Sequence, residues 1–147
     1  MGAHPYWYTV KYRPDIAAAL DELRQREFRA GRYNPVMPFI SFPITPSSPA
    51  PGARHQTIED AFDDADADGT RSILDISSID DEPDFGVAAP LPPEVLEDLY
   101  GTDQPTRAAV EANMDFLEDV ERGQAVYIVL FSGGQPTELF FAGYSFD

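Results

Sequence analysis

The sequence near the C-terminus restricts the fold more than any other part of the chain. Residues 125–131 read AVYIVLF, so a strand with this sequence carries apolar side chains on both faces. Residues 132–135 read SGGQ, a typical hairpin turn, and residues 138–142 provide the returning strand. A hairpin that is apolar on both faces must lie between other layers of structure. We therefore expect a sheet with helices packed against it.

The first 30 residues predict one strand followed by one helix. Residues 6–12 alternate as a strand does, with four side chains on one face: Tyr6, Tyr8, Val10 and Tyr12. Pro14 ends this strand and suits the first turn of a helix over residues 14–30, which Gly31 ends. The helix carries an apolar stripe at helical spacing: Ile16, Ala19, Leu20, Leu23 and Ala30.

The middle of the chain combines an irregular segment with several short elements. Prolines at six positions between residues 34 and 54 interrupt both helix and strand, while large apolar residues among them predict a strap packed across the body. The strap could instead serve as a proline-rich ligand for a recognition module. The remaining elements follow in chain order: a helix capped by Thr57 that ends at residue 65 or 67, a strand at 72–76, a solvated turn at 80–84, and helices at 92–100 and 105–122.

These elements predict a single α+β domain over residues 1–147. Its sheet has about four strands, two of which form the C-terminal hairpin, and helices pack against the sheet. The proline-rich strap covers about residues 34–54 and has no regular structure.

The charge of the chain is strongly acidic, with 26 acidic and 10 basic residues and a net charge of −16. This charge argues against nucleic-acid binding through phosphates, which needs a basic surface. Residues 1–55 hold seven of the basic residues and only four acidic ones, so the basic N-terminal part either forms a second functional face or neutralises the rest. The chain has no cysteine, no signal-like run and no apolar span for a membrane, so we expect a soluble cytoplasmic protein.

Residues 64–75 read DADADGTRSILD and resemble the calcium loop of an EF-hand. Alternate oxygen ligands on a tight glycine turn can converge on a hard cation, which implies a calcium site built from five residues: Asp64, Asp66, Asp68, Thr70 and Asp75. The loop departs from the family pattern at Arg71, where an aliphatic residue is expected, and at Asp75, where the family has glutamate. The alternative interpretation is an acidic helix end, a glycine stop and a strand.

Catalytic motifs are scarce in the sequence. The chain has no nucleophile elbow, no phosphate-binding glycine loop and no zinc-protease helix. Its two histidines are His4 and His55, and His55 could pair with a carboxylate as a general base or simply lie at the surface. An enzyme built from scattered residues therefore stays open as a third hypothesis, behind the binding module described next and the calcium-binding domain.

The leading hypothesis is a non-enzymatic, inhibitor-type module that binds a basic protein partner. On a helix over residues 105–122, the acids Asp115, Glu118 and Asp119 lie opposite an apolar side. Like charges at this spacing destabilise a helix, which suggests that they are kept for a basic partner, although solubility alone would also explain them. Trp7 and Tyr144 are candidate aromatic anchors if exposed, and core residues if they pack against the helices.

Overall fold

A computed structural model describes residues 4–146 of the chain. The strands are β1 (Pro5–Lys11), β2 (Ser78–Ile79), β3 (Val87–Pro90), β4 (Ala125–Ser132) and β5 (Gln135–Tyr144). The α-helices are α1 (Ile16–Ala30), α2 (Ile58–Ala65), α3 (Pro93–Tyr100) and α4 (Arg107–Ala112). Short 3₁₀ turns cover Asp66–Asp68, Ile73–Asp75 and Asp115–Asp119.

The strands form one mixed sheet in the order β1-β5-β4-β3-β2. β5 lies between β1 and β4 and is antiparallel to both, whereas β2, β3 and β4 are parallel to one another. The α+β class and the C-terminal hairpin are therefore confirmed. The described residues contain five strands where the sequence predicted about four, because the short strands β2 and β3 were not recognised and one predicted strand, at residues 72–76, is absent.

Both faces of the sheet are covered, as the apolar hairpin sequence required. On one face Tyr8 and Phe141 pack with Leu23 of α1, in a cluster that we call the first core. On the other face Phe140 and Leu130 belong to a second core, to which α3, α4 and the third 3₁₀ turn contribute. Alternate residues of β4 and β5 therefore enter different cores, which explains why neither face of the hairpin is polar.

The first helix follows the predicted stripe and stop. Asp15 caps α1 by accepting a hydrogen bond from the N–H of Ala18 at 3.1 Å, so the helix begins just after Pro14 and not at it. Ala19, Leu20 and Leu23 are buried as predicted. Glu27 and Phe28 are also buried, although the predicted stripe did not include them. None of the helices within residues 4–146 has the length and apolar character required to cross a membrane.

The proline-rich strap has no helix or strand over residues 34–54, as predicted. Phe42 lies at the edge of the sheet, with its ring centroid 5.4 Å from that of Trp7 and 5.3 Å from that of Tyr8. Ile44 is half-buried against the first core, but Phe39 keeps 76% of its surface exposed. The strap is therefore held to the body by part of its apolar residues.

Two contacts close the base of the strap against the end of α1. Arg32 donates to the carbonyl oxygen of Pro49 at 3.3 Å, and Gly52 donates to that of Ala30 at 2.9 Å. Gly31 lies so close to the backbone of Gly52 that an added Cβ would stand 2.2 Å from its carbonyl oxygen. The two ends of the strap therefore meet, as in an Ω-loop.

The strand predicted at residues 72–76 is wrong. Ile73–Asp75 is a 3₁₀ turn, in which the Ser72 side chain accepts a hydrogen bond from the N–H of Leu74 at 3.2 Å. Arg71 takes a left-handed backbone conformation (φ 55°), which turns the chain at the point where the strand would begin. The apolar residues are buried by this turn and not by strand pairing, a difference that their hydropathy does not reveal.

The helix predicted at residues 105–122 is also wrong in its extent. α4 ends at Ala112, and Asn113 is extended (φ −146°, ψ 101°), so the helical ladder stops there. The chain resumes as the 3₁₀ turn Asp115–Asp119, which buries Phe116 and Leu117 in the second core. Asparagine stabilises such a break because its side chain can bond to nearby backbone.

Candidate functional site

The 3₁₀ turn Asp115–Asp119, here called the acidic turn, carries the three predicted partner-binding acids. Asp115, Glu118 and Asp119 are exposed, while the intervening Phe116 and Leu117 keep only 3% and 8% of their surface exposed. The turn therefore presents three carboxylates on a short stretch of backbone, and its two buried apolar side chains anchor that backbone in the second core. The acids are exposed as predicted, but on a 3₁₀ turn and not on a long helix.

Local hydrogen bonds fix the entrance to the acidic turn. The side-chain oxygen of Asn113 accepts a hydrogen bond from the N–H of Asp115 at 3.0 Å, which begins the turn. The hydroxyl of Tyr100, the last residue of α3, donates to the carbonyl oxygen of Asn113 at 2.6 Å. Because the two bonds join α3 to the break after α4, the start of the acidic turn is held by tertiary structure.

The electrostatics of the acidic turn are dominated by unpaired negative charge. Within residues 4–146, no ion pair involves Asp115, Glu118 or Asp119. Burial, followed by the nearby charge of Asp115, raises the pKa of the Tyr100 phenol from 10.0 to about 12. The phenol therefore stays protonated at neutral pH and remains able to donate its hydrogen bond to Asn113.

The two predicted aromatic residues lie on the same side of the sheet as the acidic turn. Trp7 and Tyr144 are both half-buried and pack against the second core, to which Phe116 and Leu117 also belong. The Trp7 ring in addition contacts Phe42 of the strap. Both residues therefore combine core packing with partial exposure, and no described ring or hydrogen-bond contact joins either of them to the acidic turn.

The residues of the predicted calcium loop point in different directions. Asp64 accepts a hydrogen bond from His55, with 2.8 Å between its Oδ2 and Nε2, whereas the carboxylate of Asp75 is buried. Asp75 Oδ1 accepts hydrogen bonds from the N–H and the hydroxyl of Thr70, at 2.8 and 2.7 Å. Asp66 and Asp68 are exposed in the 3₁₀ turn after α2.

This arrangement closes the loop on itself. One oxygen of the Asp75 carboxylate, which the family pattern would direct to the ion, is engaged by Thr70. Among residues 4–146, no three side chains of the types His, Cys, Asp and Glu are grouped so that they could hold a metal ion. The structure therefore does not bring the five predicted ligands together, and calcium binding stays a prediction.

His55 pairs with the carboxylate of Asp64, a type of pairing that the sequence analysis considered, and it also contacts Tyr33, which was not predicted. The Tyr33 hydroxyl lies 2.7 Å from Nδ1 of His55 and accepts a hydrogen bond from the N–H of Arg54 at 3.1 Å. Because Asp64 occupies Nε2, both ring nitrogens of His55 have protein partners. Tyr33 is fully buried. In the matching tautomer, the Tyr33 hydroxyl donates a hydrogen bond to Nδ1, and the protonated Nε2 donates one to Asp64.

The contacts of His55 connect the end of the strap to α2. Protein groups therefore contact both nitrogens of the His55 ring. The sequence around His55 gave no signal of the contact with Tyr33, because Tyr33 lies 22 residues away and this contact depends on how the strap folds back.

Comparison of the chain with family models, with curated proteins and with solved structures finds no match.

Proposed function

We propose that the protein is a non-enzymatic, inhibitor-type binding module whose acidic turn docks a basic protein partner. The observation that supports the proposal most directly is the contrast within residues 115–119: the acids are exposed without ion pairs, and the apolar residues between them are buried. Charges on an anchored backbone lose little conformational freedom on binding, which favours affinity.

The net charge of the chain supports the same partner class. A protein with a charge of −16 attracts cationic proteins over distances of about a Debye length, so association with a basic partner is accelerated. The same charge repels nucleic-acid phosphates, which we exclude as partners. Trp7 and Tyr144, half-buried on the same side of the sheet, would add aromatic contact area. The proposal keeps the soluble, cytoplasmic setting expected from the sequence.

The test compares two variants that change the net charge equally. The docking variant is Asp115→Lys/Glu118→Lys/Asp119→Lys. The control is Asp81→Lys/Glu82→Lys/Asp98→Lys, which reverses three exposed acids with no described side-chain hydrogen bond or ion pair. The parent and both variants are immobilised, and proteins from the source cell are captured at low salt and identified by mass spectrometry.

A basic protein that is recovered by the parent and the control, but not by the docking variant, is the expected result. Its association rate with the docking variant should fall by about tenfold or more, while its dissociation rate changes less. Recovery of the same proteins by all three forms would show that the acidic turn is not the docking surface.

A further inference from the structure

The strand order leaves β1 at one edge of the sheet, with β5 on its inner side. Tyr12, directly after β1, donates to the carbonyl oxygen of Thr137 at 3.1 Å and so faces β5. Hydrogen bonding alternates along an antiparallel strand, so the even-numbered residues of β1 face β5. Trp7, Thr9 and Lys11 therefore direct their backbone N–H and C=O groups to the outer edge.

These outward groups have no partner within the described chain. No hydrogen bond from residues 4–146 reaches the backbone of Trp7, Thr9 or Lys11 on that side. Phe42 of the strap contacts Trp7, and residues 43–46 of the strap line a recess beside Thr9, but no strap residue lines the groove beside Lys11. An edge strand with unpaired N–H and C=O groups is a template on which another extended chain can add.

A groove of about 770 Å³ runs between this open part of β1 and α1. Its lining contains four basic side chains, and we call it the basic groove: Lys11, Arg13, Arg26 and Arg29. A smaller recess of about 290 Å³ shares Thr9 and Arg26 with it and extends along the edge toward the strap. Together they provide an elongated site beside the backbone groups of the edge.

The basic groove carries positive charge that the protein does not use internally. Lys11 and Arg29 form no ion pair within residues 4–146, whereas Arg13 pairs with Glu22 and Arg26 with Glu27. The groove also contains three acids, of which Glu22 and Glu138 are paired with arginines and Asp21 makes no ion pair. Two unpaired cations therefore face one unpaired carboxylate, in a chain whose net charge is −16.

We propose that an extended, acidic segment of a partner protein adds to β1 in the basic groove. Its backbone would pair with the outward groups of Thr9 and Lys11, and its carboxylates would lie near Lys11 and Arg29. Dimerisation through this edge is the alternative, and the hydrogen-exchange measurement distinguishes it from binding of the partner segment. The basic groove is a different surface from the acidic turn, and the segment proposed for it has the opposite charge to the partner proposed for the acidic turn.

The probe is a fluorescein-labelled peptide of about nine residues with alternating valine and glutamate, a length that spans one strand. Its binding to the purified full-length protein is followed by fluorescence anisotropy. The control peptide has lysine in place of each glutamate. We expect the glutamate peptide to bind with a Kd that weakens as salt is added, and the lysine peptide not to bind.

Two variants separate backbone pairing from charge. Thr9→Pro removes an outward N–H but no bond to β5, and proline is tolerated on the open side of an edge strand. Lys11→Gln/Arg29→Gln removes the two unpaired cations, and Arg54→Gln/Arg122→Gln is the charge-matched control outside the groove. We expect the Kd for the glutamate peptide to rise about tenfold or more in Thr9→Pro and in Lys11→Gln/Arg29→Gln. The control variant should bind this peptide with the Kd of the parent.

Amide hydrogen exchange in the parent makes the test independent of how well Thr9→Pro folds. Bound peptide should slow exchange at Thr9 and Lys11, whereas Tyr8 and Val10 are already protected by β5. The proposal is overturned if the glutamate peptide fails to bind at millimolar concentration, or if it binds without protecting those two amides. Dimerisation of the parent that protects the same amides without peptide would also overturn it, by assigning the edge to a second copy.

Discussion

The buried carboxylate of Glu27 accepts two hydrogen bonds from the guanidinium of Arg32, at 2.7 and 2.8 Å, where α1 gives way to the strap. Glu27 is fully buried and also accepts a hydrogen bond from Arg26 at 2.7 Å. Its hydrogen bond to Arg32 raises the pKa of that guanidinium, so Arg32 stays charged. Arg32 in turn holds the strap through Pro49. The attachment of the strap therefore depends on an ion pair inside the protein.

Glu27→Gln should destabilise the protein by about 3–5 kcal/mol, because it leaves the buried guanidinium of Arg32 without a counter-charge. The matched control is Glu111→Gln, which breaks the exposed pair with Arg107 and should cost about 1 kcal/mol or less. Urea unfolding of both variants gives the two free energies of unfolding. Similar losses for the two variants would contradict a special role for the buried pair.

Leu130→Asp should lower the free energy of unfolding by about 4 kcal/mol or more, because Leu130 is fully buried in the second core. Ser132→Asp, two residues further along β4 and exposed, should change it by about 0.5 kcal/mol or less. Thermal melting of both variants checks the difference. A Leu130→Asp protein that melts within a few degrees of the parent would disprove the position of this hairpin in the core.

Gly31→Ala should destabilise the protein more than Gly101→Ala. Both glycines end helices in the left-handed conformation, at φ 75° and 73°, so an added Cβ costs about 1–2 kcal/mol at either position. Only Gly31 faces the backbone of Gly52, while nothing lies within 4 Å of a Cβ at Gly101. The difference between the two free energies of unfolding therefore measures the closure of the strap, and equal values would mean that the strap does not press on the helix end.

The phenol of Tyr100 should titrate above the ordinary value for tyrosine. Burial and Asp115 raise its pKa from 10.0 to about 12, so an unfolded chain would release this proton first. The stability that this group provides is therefore intact below pH 10 and is lost as the pH rises from 10 toward 12. The phenolate absorbance of the parent minus that of Tyr100→Phe gives the pKa directly. Asp115→Asn should lower the pKa of Tyr100 only in part, because the phenol stays buried. A pKa near 10 in the parent would contradict these surroundings of the phenol.

Calcium should not raise the melting temperature of the parent. Thr70 already donates two hydrogen bonds to Asp75, and the other carboxylates of residues 64–75 do not converge, so no preformed site gains from the ion. The measurement is thermal melting with millimolar calcium, with magnesium as the control ion. A calcium-specific rise that Asp64→Ala/Asp68→Ala abolishes would instead establish the calcium-binding hypothesis.

The sequence alone determined the elements whose signals are local. The apolar run of β4, the glycine turn after it, the stripe of α1 and the Thr57 cap of α2 are all readable within a few residues, because helical and strand periodicity reflect local burial. The prolines likewise determined that the strap is irregular. The exposure of the three acids of the acidic turn was also predictable, since carboxylates rarely lie buried without partners.

Tertiary structure decided everything that depends on residues far apart in the chain. Hydropathy could not show that residues 72–76 are buried by a turn, or that Asn113 ends α4, because burial has the same pattern whichever element produces it. The partners of Glu27 and His55, and the position of β1 at the edge, follow from which segments meet in the fold. The open edge of β1 exists because β5 pairs with β1 on one side only, and such long-range pairing leaves no periodic signal in the sequence.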